Sequence, residues 1–281
     1  MYPELFKIGP FTVYSFGVMI GLGVIASTFI LFKEAKRNNL DIYFTLEIVI
    51  ISILSEIIGG KLLYIIENFN RFLKNPVGIG LSPEGSTYYG GFILAAIVIY
   101  IYVKRKKIPF LHATDIIAVA LPVMYAFGRI GCHLSGDGDY GTPTNLPWGT
   151  NYEHGVMPPS VMFRMNHIQN SFPDGIVPDN TPLHPTPVYE AIAAMIVFFI
   201  LWKYRKHGWI AGRLFMLYLV LSSISRFFVE FIRLNQRILF GLSEAQLISI
   251  VFFIIGVYGF YKLKSPFNST KDDLQTDKKS S

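Results

Sequence analysis

Apolar residues in this chain gather in long unbroken runs rather than at strand or amphipathic-helix spacing, so the predicted elements are apolar on every face. A helix needs about 17–25 such residues to cross the hydrocarbon core of a bilayer. Runs at 11–32, 46–66, 88–103, 212–232 and 245–263 read as spans directly. Weaker runs at 113–127 and 187–202 join them once a few flanking residues are added. The pattern predicts an all-α integral membrane protein of seven transmembrane helices.

Basic residues then orient the bundle. Lys33, Lys36 and Arg37 follow the first span, the run Lys104-Arg105-Lys106-Lys107 follows the third, and Lys203, Arg205 and Lys206 follow the fifth. Lys262, Lys264, Lys271, Lys278 and Lys279 follow the seventh. Each odd-numbered span thus ends in a basic cluster, which the positive-inside rule places in the cytoplasm. The N-terminus is expected outside and the C-terminus in the cytoplasm, as an odd number of spans requires. The first run has no basic segment before it and no small-residue cleavage site after it, so it reads as a retained span.

Composition agrees. The 281 residues are 52% hydrophobic and only 16% charged, below the roughly 25% charged of soluble domains. The net charge of +6 sits in the loops and forms no basic face, which argues against nucleic acid. Cys132 is the single cysteine, so neither an intrachain disulfide nor a cysteine-based zinc site is available. Residues 1–264 are expected to form the membrane domain, with an irregular outer loop domain at about 128–185. The polar segment 265–281 is expected to be a disordered cytoplasmic tail.

Polar groups collect at one level of this topology. Lys61 lies near the outer end of the second span, Tyr88 and Tyr89 open the third, and Arg129 closes the fourth. His184, Tyr189 and Glu190 enter the fifth from outside, and Arg226, Glu230 and Arg233 occupy the outer half of the sixth. A fixed cation at the edge of hydrocarbon calls for an anionic partner, and a lipid phosphate is the natural one here. Arg226 and Glu230, four apart, and Glu230 and Arg233, three apart, can each meet on one helix face. That is either a structural ion-pair ladder or an arrangement in which Glu230 orients Arg226 toward a phosphate; the two are compatible. Glycines at 59–60, 90–91, 128 and 131 serve close helix packing or close approach to a ligand. Cys132 beside His133 reads as a packed residue, and Asp137 and Asp139 read as a turn in which Asp137 pairs with an arginine rather than as a metal loop. Trp148 and Tyr152 read as interfacial anchors or as lining for an incoming acceptor.

Taken in order, these segments resemble the bacterial prolipoprotein diacylglyceryl transferase family. Gly128-Arg129-Ile130-Gly131 matches the start of its signature, and Tyr88-Tyr89-Gly90-Gly91-Phe92 looks like its Phe-His-Gly-Gly segment. His184-Pro185-Thr186-Pro187-Val188-Tyr189-Glu190 resembles its His-Pro-(Ser/Thr)-x-x-Tyr-Glu motif, and the run Arg226 to Arg233 resembles its Arg-x-x-Val-Glu-Phe-x-Arg helix. Tyr14-Ser15-Phe16-Gly17 sits where the family has a first-span Trp-Tyr-Gly. The resemblance implies transfer of diacylglycerol from phosphatidylglycerol to the lipobox cysteine of a preprolipoprotein at a bacterial plasma (inner) membrane, with no cofactor and no metal. It assigns Arg129, Arg226 and Tyr89 to catalysis. Substrate binding falls to Arg129, Lys61, Glu230, Arg233, His184, Glu190 and Asp137.

Several positions depart from the family pattern. Its histidine, often assigned as a base, is Tyr89 here; a second-span arginine is Lys61; and its signature asparagine is Cys132. The later Asn-Gly-Glu is Ser135-Gly136-Asp137, with Asp139 an alternative match. His184 is a candidate to replace the missing base. The departures leave open two other readings: a phospholipid-dependent transferase with a different acceptor, and a non-catalytic phospholipid-binding membrane protein.

Overall fold

A computed structural model of the chain describes residues 1–80, 87–165, 172 and 176–263. The tail expected at 265–281 lies outside the described residues, as do most of the turn before Tyr88 and the Tyr88 side chain. In chain order the elements are β1 (Glu4–Ile8), β2 (Phe11–Tyr14), α1 (Ser15–Arg37), α2 (Ile42–Glu67), α3 (Phe69–Lys74), α4 (Pro76–Gly80), α5 (Tyr88–Arg105) and α6 (Phe110–Ser135). They continue with β3 (Thr150–Asn151), α7 (Pro159–Met165), β4 (Pro182–Leu183), α8 (Thr186–Tyr204), α9 (Arg213–Val229), β5 (Arg237–Leu239), β6 (Leu242–Ser243) and α10 (Glu244–Lys262).

Among the described residues, α1, α2, α6, α8 and α10 are long and apolar enough to cross a membrane. The other two long helices, α5 and α9, have 18 and 17 residues and correspond to the third and sixth expected spans. Their surfaces suit lipid. Ile50, Ile53, Leu54, Ile57 and Ile58 of α2 are exposed, as are Val251, Ile254, Ile255 and Tyr258 of α10. An exposed apolar area of that extent is a contact surface for hydrocarbon rather than for water.

The chain divides into two compact units, residues 28–116 and residues 1–27 with 117–281. In the first, α2 packs on α5 through glycines. A Cβ on Gly59 would run into the Gly90 carbonyl, and one on Gly90 into that of Gly59. Gly91 is equally closed, by the Glu56 side chain. At positions 59 and 90–91 the glycines therefore bring two backbones together. Farther along the same pair, Tyr102 donates to Glu47, which also pairs with Lys106 at 3.2 Å.

The second unit holds α8, α9 and α10. Ala126 of α6 packs with Ala191 and Ala194 of α8, small residues that let these helices approach closely. In the connection between α6 and α8, Tyr140, Tyr152, Phe163, Val177 and Leu183 are buried together, joined by Leu234 from just after α9. The connection includes α7 and the short antiparallel pair β3–β4.

Three expectations need correction. Residues 11–14 are not the start of a span. Gly9, at φ 57°, and Pro10 turn the chain so that Phe11–Tyr14 pair back on Glu4–Ile8, and the helix starts at Ser15. The fourth long helix does not close at Arg129 but runs to Ser135, where Gly136 at φ 62° ends it. Neither Gly128 nor Gly131 breaks it, and the arginine is neutralised by partners described below. Finally, Glu230 and Arg233 lie just past the end of α9 rather than within it.

Candidate active site

The second unit brings ionisable side chains from α6, α8 and the end of α9 together at one point. Glu190, in the first turns of α8, has a side chain only 2% exposed and is the hub. Its carboxylate pairs with Arg226, with Arg233 at 2.9 Å and with Arg129 Nε at 3.3 Å. Tyr125, one turn before Arg129 on α6, donates its hydroxyl to Glu190 at 2.9 Å and lies 4.8 Å beneath the Arg129 guanidinium. A carboxylate this buried is tolerated because cations and a hydroxyl satisfy it.

Two further carboxylates close the cluster. Asp139, on the loop after α6, pairs with both Arg129 and Arg233. Burial alone would raise its pKa, but the two guanidiniums outweigh that and hold it down to about 2. Thr186, at the start of α8, donates to the Asp139 carbonyl at 2.6 Å and fixes the loop over the helix. Glu230 is fully buried and pairs with Arg226 at 3.2 Å and Arg233 at 3.7 Å. Asn235 at 2.5 Å and the Ser243 hydroxyl at 2.9 Å also donate to it. Ser243 and Gln246 form the capping box of α10, which ties that helix end to the cluster.

Three arginines therefore interlock with three carboxylates. The three side chains are not equally buried: Arg233 is 6% exposed, Arg129 18% and Arg226 25%. Arg233 is thus the most enclosed of the three, and the Arg129 and Arg226 side chains are the more accessible ones.

Of the residues singled out from sequence, Arg129, Glu190, Arg226, Glu230 and Arg233 meet here. Asp139, rather than Asp137, receives the arginines. Asp137 instead accepts from the Asp139 backbone N–H at 3.3 Å, and burial followed by the neighbouring Asp139 raises its pKa. His184 stands beside the cluster, its Nδ1 3.2 Å from the Tyr189 hydroxyl, which in turn accepts from Trp148 Nε1 at 2.7 Å. Burial lowers its pKa, so it is neutral near pH 7. Tyr152 is fully buried against Tyr140 and bonds His133 at 3.0 Å, so it is neither an anchor at the membrane surface nor lining for an acceptor. Trp148 is exposed. Lys61 and Tyr89 belong to the other unit, where Lys61 lies over the Tyr64 ring.

Cys132, Asp137 and Asp139 bring ligand atoms within 4.8 Å of one another. Asp139 is already engaged by two guanidiniums, whose charge opposes a cation, so the trio is poorly suited to a metal.

Comparison with known proteins shows the family of the chain. A family profile described as prolipoprotein diacylglyceryl transferase matches residues 3–262. The chain belongs to the prolipoprotein diacylglyceryl transferase family. A phosphatidylglycerol–prolipoprotein diacylglyceryl transferase of Clostridium tetani is 34% identical over 92% of this chain and 97% of its own length. Proteins of the same name from Clostridioides difficile and Thermotoga maritima are 31% and 29% identical, over 86% and 93% of this chain and 87% and 84% of theirs. The segments that resemble the transferase family in sequence supply five of the six charged members of the cluster. Tyr125, Asn235 and Ser243 join them from outside those motifs.

Proposed function

We propose that the protein transfers the diacylglyceryl group of phosphatidylglycerol to the lipobox cysteine thiol of preprolipoproteins and releases glycerol phosphate. The observation that carries this is the convergence of Arg129 and Arg226 on the buried Glu190, with both arginine side chains still partly exposed. The acceptor sulfur forms a bond to the terminal glycerol carbon of the diacylglyceryl group. The carbon–oxygen bond to phosphate breaks, and its electron pair leaves on the phosphate oxygen. A phosphodiester of charge −1 thus becomes a monoester of about −1.5 to −2 at neutral pH. Prepositioned guanidiniums stabilise that added charge without reorganising, because Glu190 and Asp139 hold Arg129, and Glu190 and Glu230 hold Arg226.

The thiol, pKa about 8.5, must also lose its proton, and nearby arginines favour the thiolate. His184, neutral at pH 7 and beside the cluster, is the candidate acceptor for that proton. Glu190, Glu230 and Arg233 position the two working arginines, and Asp137 holds the turn that carries Asp139. Tyr89 and Lys61 enter the proposal from their places in the sequence motifs alone. The seven long helices are taken to span a bacterial plasma membrane with the N-terminus outside and the C-terminus in the cytoplasm, which sets the arginine cluster at the outer leaflet. The odd-span basic clusters support this orientation.

The test is incubation of the purified protein with phosphatidylglycerol vesicles and a lipobox peptide. The peptide is expected to gain one diacylglyceryl mass at its cysteine, and a cysteine-to-serine peptide to gain none. Glycerol phosphate release with no gain on the peptide would instead favour a different acceptor.

A further inference from the structure

Two β-hairpins flank the arginine cluster, and each ends in apolar residues where a water-facing hairpin would carry polar ones. In β5–β6, Leu239 pairs with Leu242 across a two-residue turn of Phe240 and Gly241, at φ 50° and 72°. Positive φ at both turn residues favours Asn-Gly, and a bulky aromatic there is strained. Phe240 is nevertheless 90% exposed, with Ile238 and Leu239 exposed beside it. The hairpin is held rigidly at its base. Arg237 donates to Gln246 Oε1 at 2.8 Å and to the Glu230 carbonyl at 2.9 Å, so the tip does not fold back on the protein.

The β1–β2 hairpin repeats the pattern. Ile8 pairs with Phe11 at its tip, 64% and 74% exposed, and Leu5, Phe6 and Tyr14 are exposed along it. Every residue of β1 is exposed, whereas a lone two-stranded hairpin is marginal in water. It is tethered by the Tyr2 N–H to the Leu134 carbonyl, at the end of α6 that follows Arg129.

Each hairpin also runs directly into the first residue of a helix apolar enough to cross a membrane: Tyr14 precedes α1, and Ser243 caps α10. Both therefore lie at the level where a bilayer ends, and on the same side as the cluster. We infer that the two hairpin tips insert into the lipid leaflet at the headgroup–acyl boundary, as apolar anchors that fix the depth of Arg129 and Arg226. The occupant is lipid because each hairpin leads straight into a helix with an exposed apolar surface, Leu22, Ile25 and Phe29 on α1 and Val251, Ile254 and Tyr258 on α10. A partner carrying a strong charge would find little to pair with, since Lys7 and Glu4 pair with each other at 3.2 Å. The inference stands apart from the transferase reading: it concerns contact with the bilayer, not chemistry.

The test uses the full chain in phosphatidylglycerol nanodiscs. Nitroxide labels are attached to Phe11→Cys, Phe240→Cys and, as a loop control, Glu153→Cys, each in a Cys132→Ser background. Labels at 11 and 240 are expected to collide with oxygen in preference to a water-soluble nickel chelate, and the label at 153 to show the reverse. Nickel-dominated collisions at all three sites would overturn the proposal. So would a label at 240 that is water-exposed until a lipobox peptide is added, because the tip would then be a peptide-docking surface. A thiol-free check is Phe240→Trp with lipids brominated just below the headgroup. Quenching should exceed that of the parent, whose tryptophans are Trp148, Trp202 and Trp209; an unchanged value would also overturn it.

Discussion

Replacing Glu190 by Gln keeps the shape of the hub and removes its charge. Three guanidiniums then face a neutral amide in a site where the Glu190 side chain is 2% exposed. At an effective dielectric of about 20, each unit pair at roughly 3 Å is worth about 5 kcal/mol before desolvation is counted. Most of that offsets the cost of taking the ions out of water. Removing one partner of such a pair leaves a net loss of about 3–5 kcal/mol. The expected outcome is that Glu190→Gln lowers unfolding free energy by that amount in denaturant titrations of the protein in mild detergent. Glu4→Gln, which breaks an exposed pair with Lys7, should cost no more than about 1 kcal/mol. A double-mutant cycle of Glu190→Gln with Arg233→Met should show strong coupling, because the second change removes one of the stranded cations. If Glu190→Gln is as stable as Glu4→Gln, and the cycle is additive, Glu190 is not what holds the arginines, and the geometry argued for the site fails.

Further outcomes follow from the same geometry. Arg129→Lys and Arg226→Lys each keep the charge and lose the fork, so kcat/KM should fall by roughly 10²–10³ in a transfer assay with the protein still folded; a non-catalytic lipid binder would show little change. Asp139 is held at a pKa of about 2, below its unfolded value near 3.9, so its stabilisation is complete above about pH 5 and is lost as pH falls through 2. Acid unfolding should therefore cost the parent about 2 kcal/mol more than Asp139→Asn over that window, read as the difference between their stability–pH curves. Gly59→Ala places a methyl group against the Gly90 carbonyl, and thermal denaturation should show a loss of about 1–3 kcal/mol.

Long apolar runs and their basic flanks are enough to recover the helices, because a lipid-facing helix needs no partner to explain its side chains. Irregular backbone is harder to read. Residues 11–14 are as apolar as the helix after them, and only the Gly9-Pro10 turn distinguishes them, so hairpin and span merge into one run. The site is legible as a set of polar residues at one level, since Arg129, Glu190 and Arg226 stand in or beside apolar runs, where a charge calls for a partner. Its wiring is not. Whether Asp137 or Asp139 reaches the arginines depends on Gly136 and Gly138 at φ 62° and 95°, a loop shape that residue spacing does not encode. Tyr125 passes for an ordinary aromatic within an apolar helix, although its place four residues before Arg129 puts both on one face. Asn235 and Ser243 have no motif to mark them, but Ser243-x-x-Gln246 is a capping-box signature that already locates the start of α10.

The central claim is that Arg129 and Arg226 take up the charge of a departing glycerol phosphate while its diacylglyceryl partner moves to sulfur. The most direct measurement follows both products in one reaction, lipidated peptide by mass and glycerol phosphate by release, for the parent, Arg129→Ala and Arg226→Ala. Each variant must first be shown to be folded. The parent should yield equal amounts of the two products, and either variant should lose both. Undiminished transfer by a folded Arg129→Ala or Arg226→Ala protein would contradict that claim.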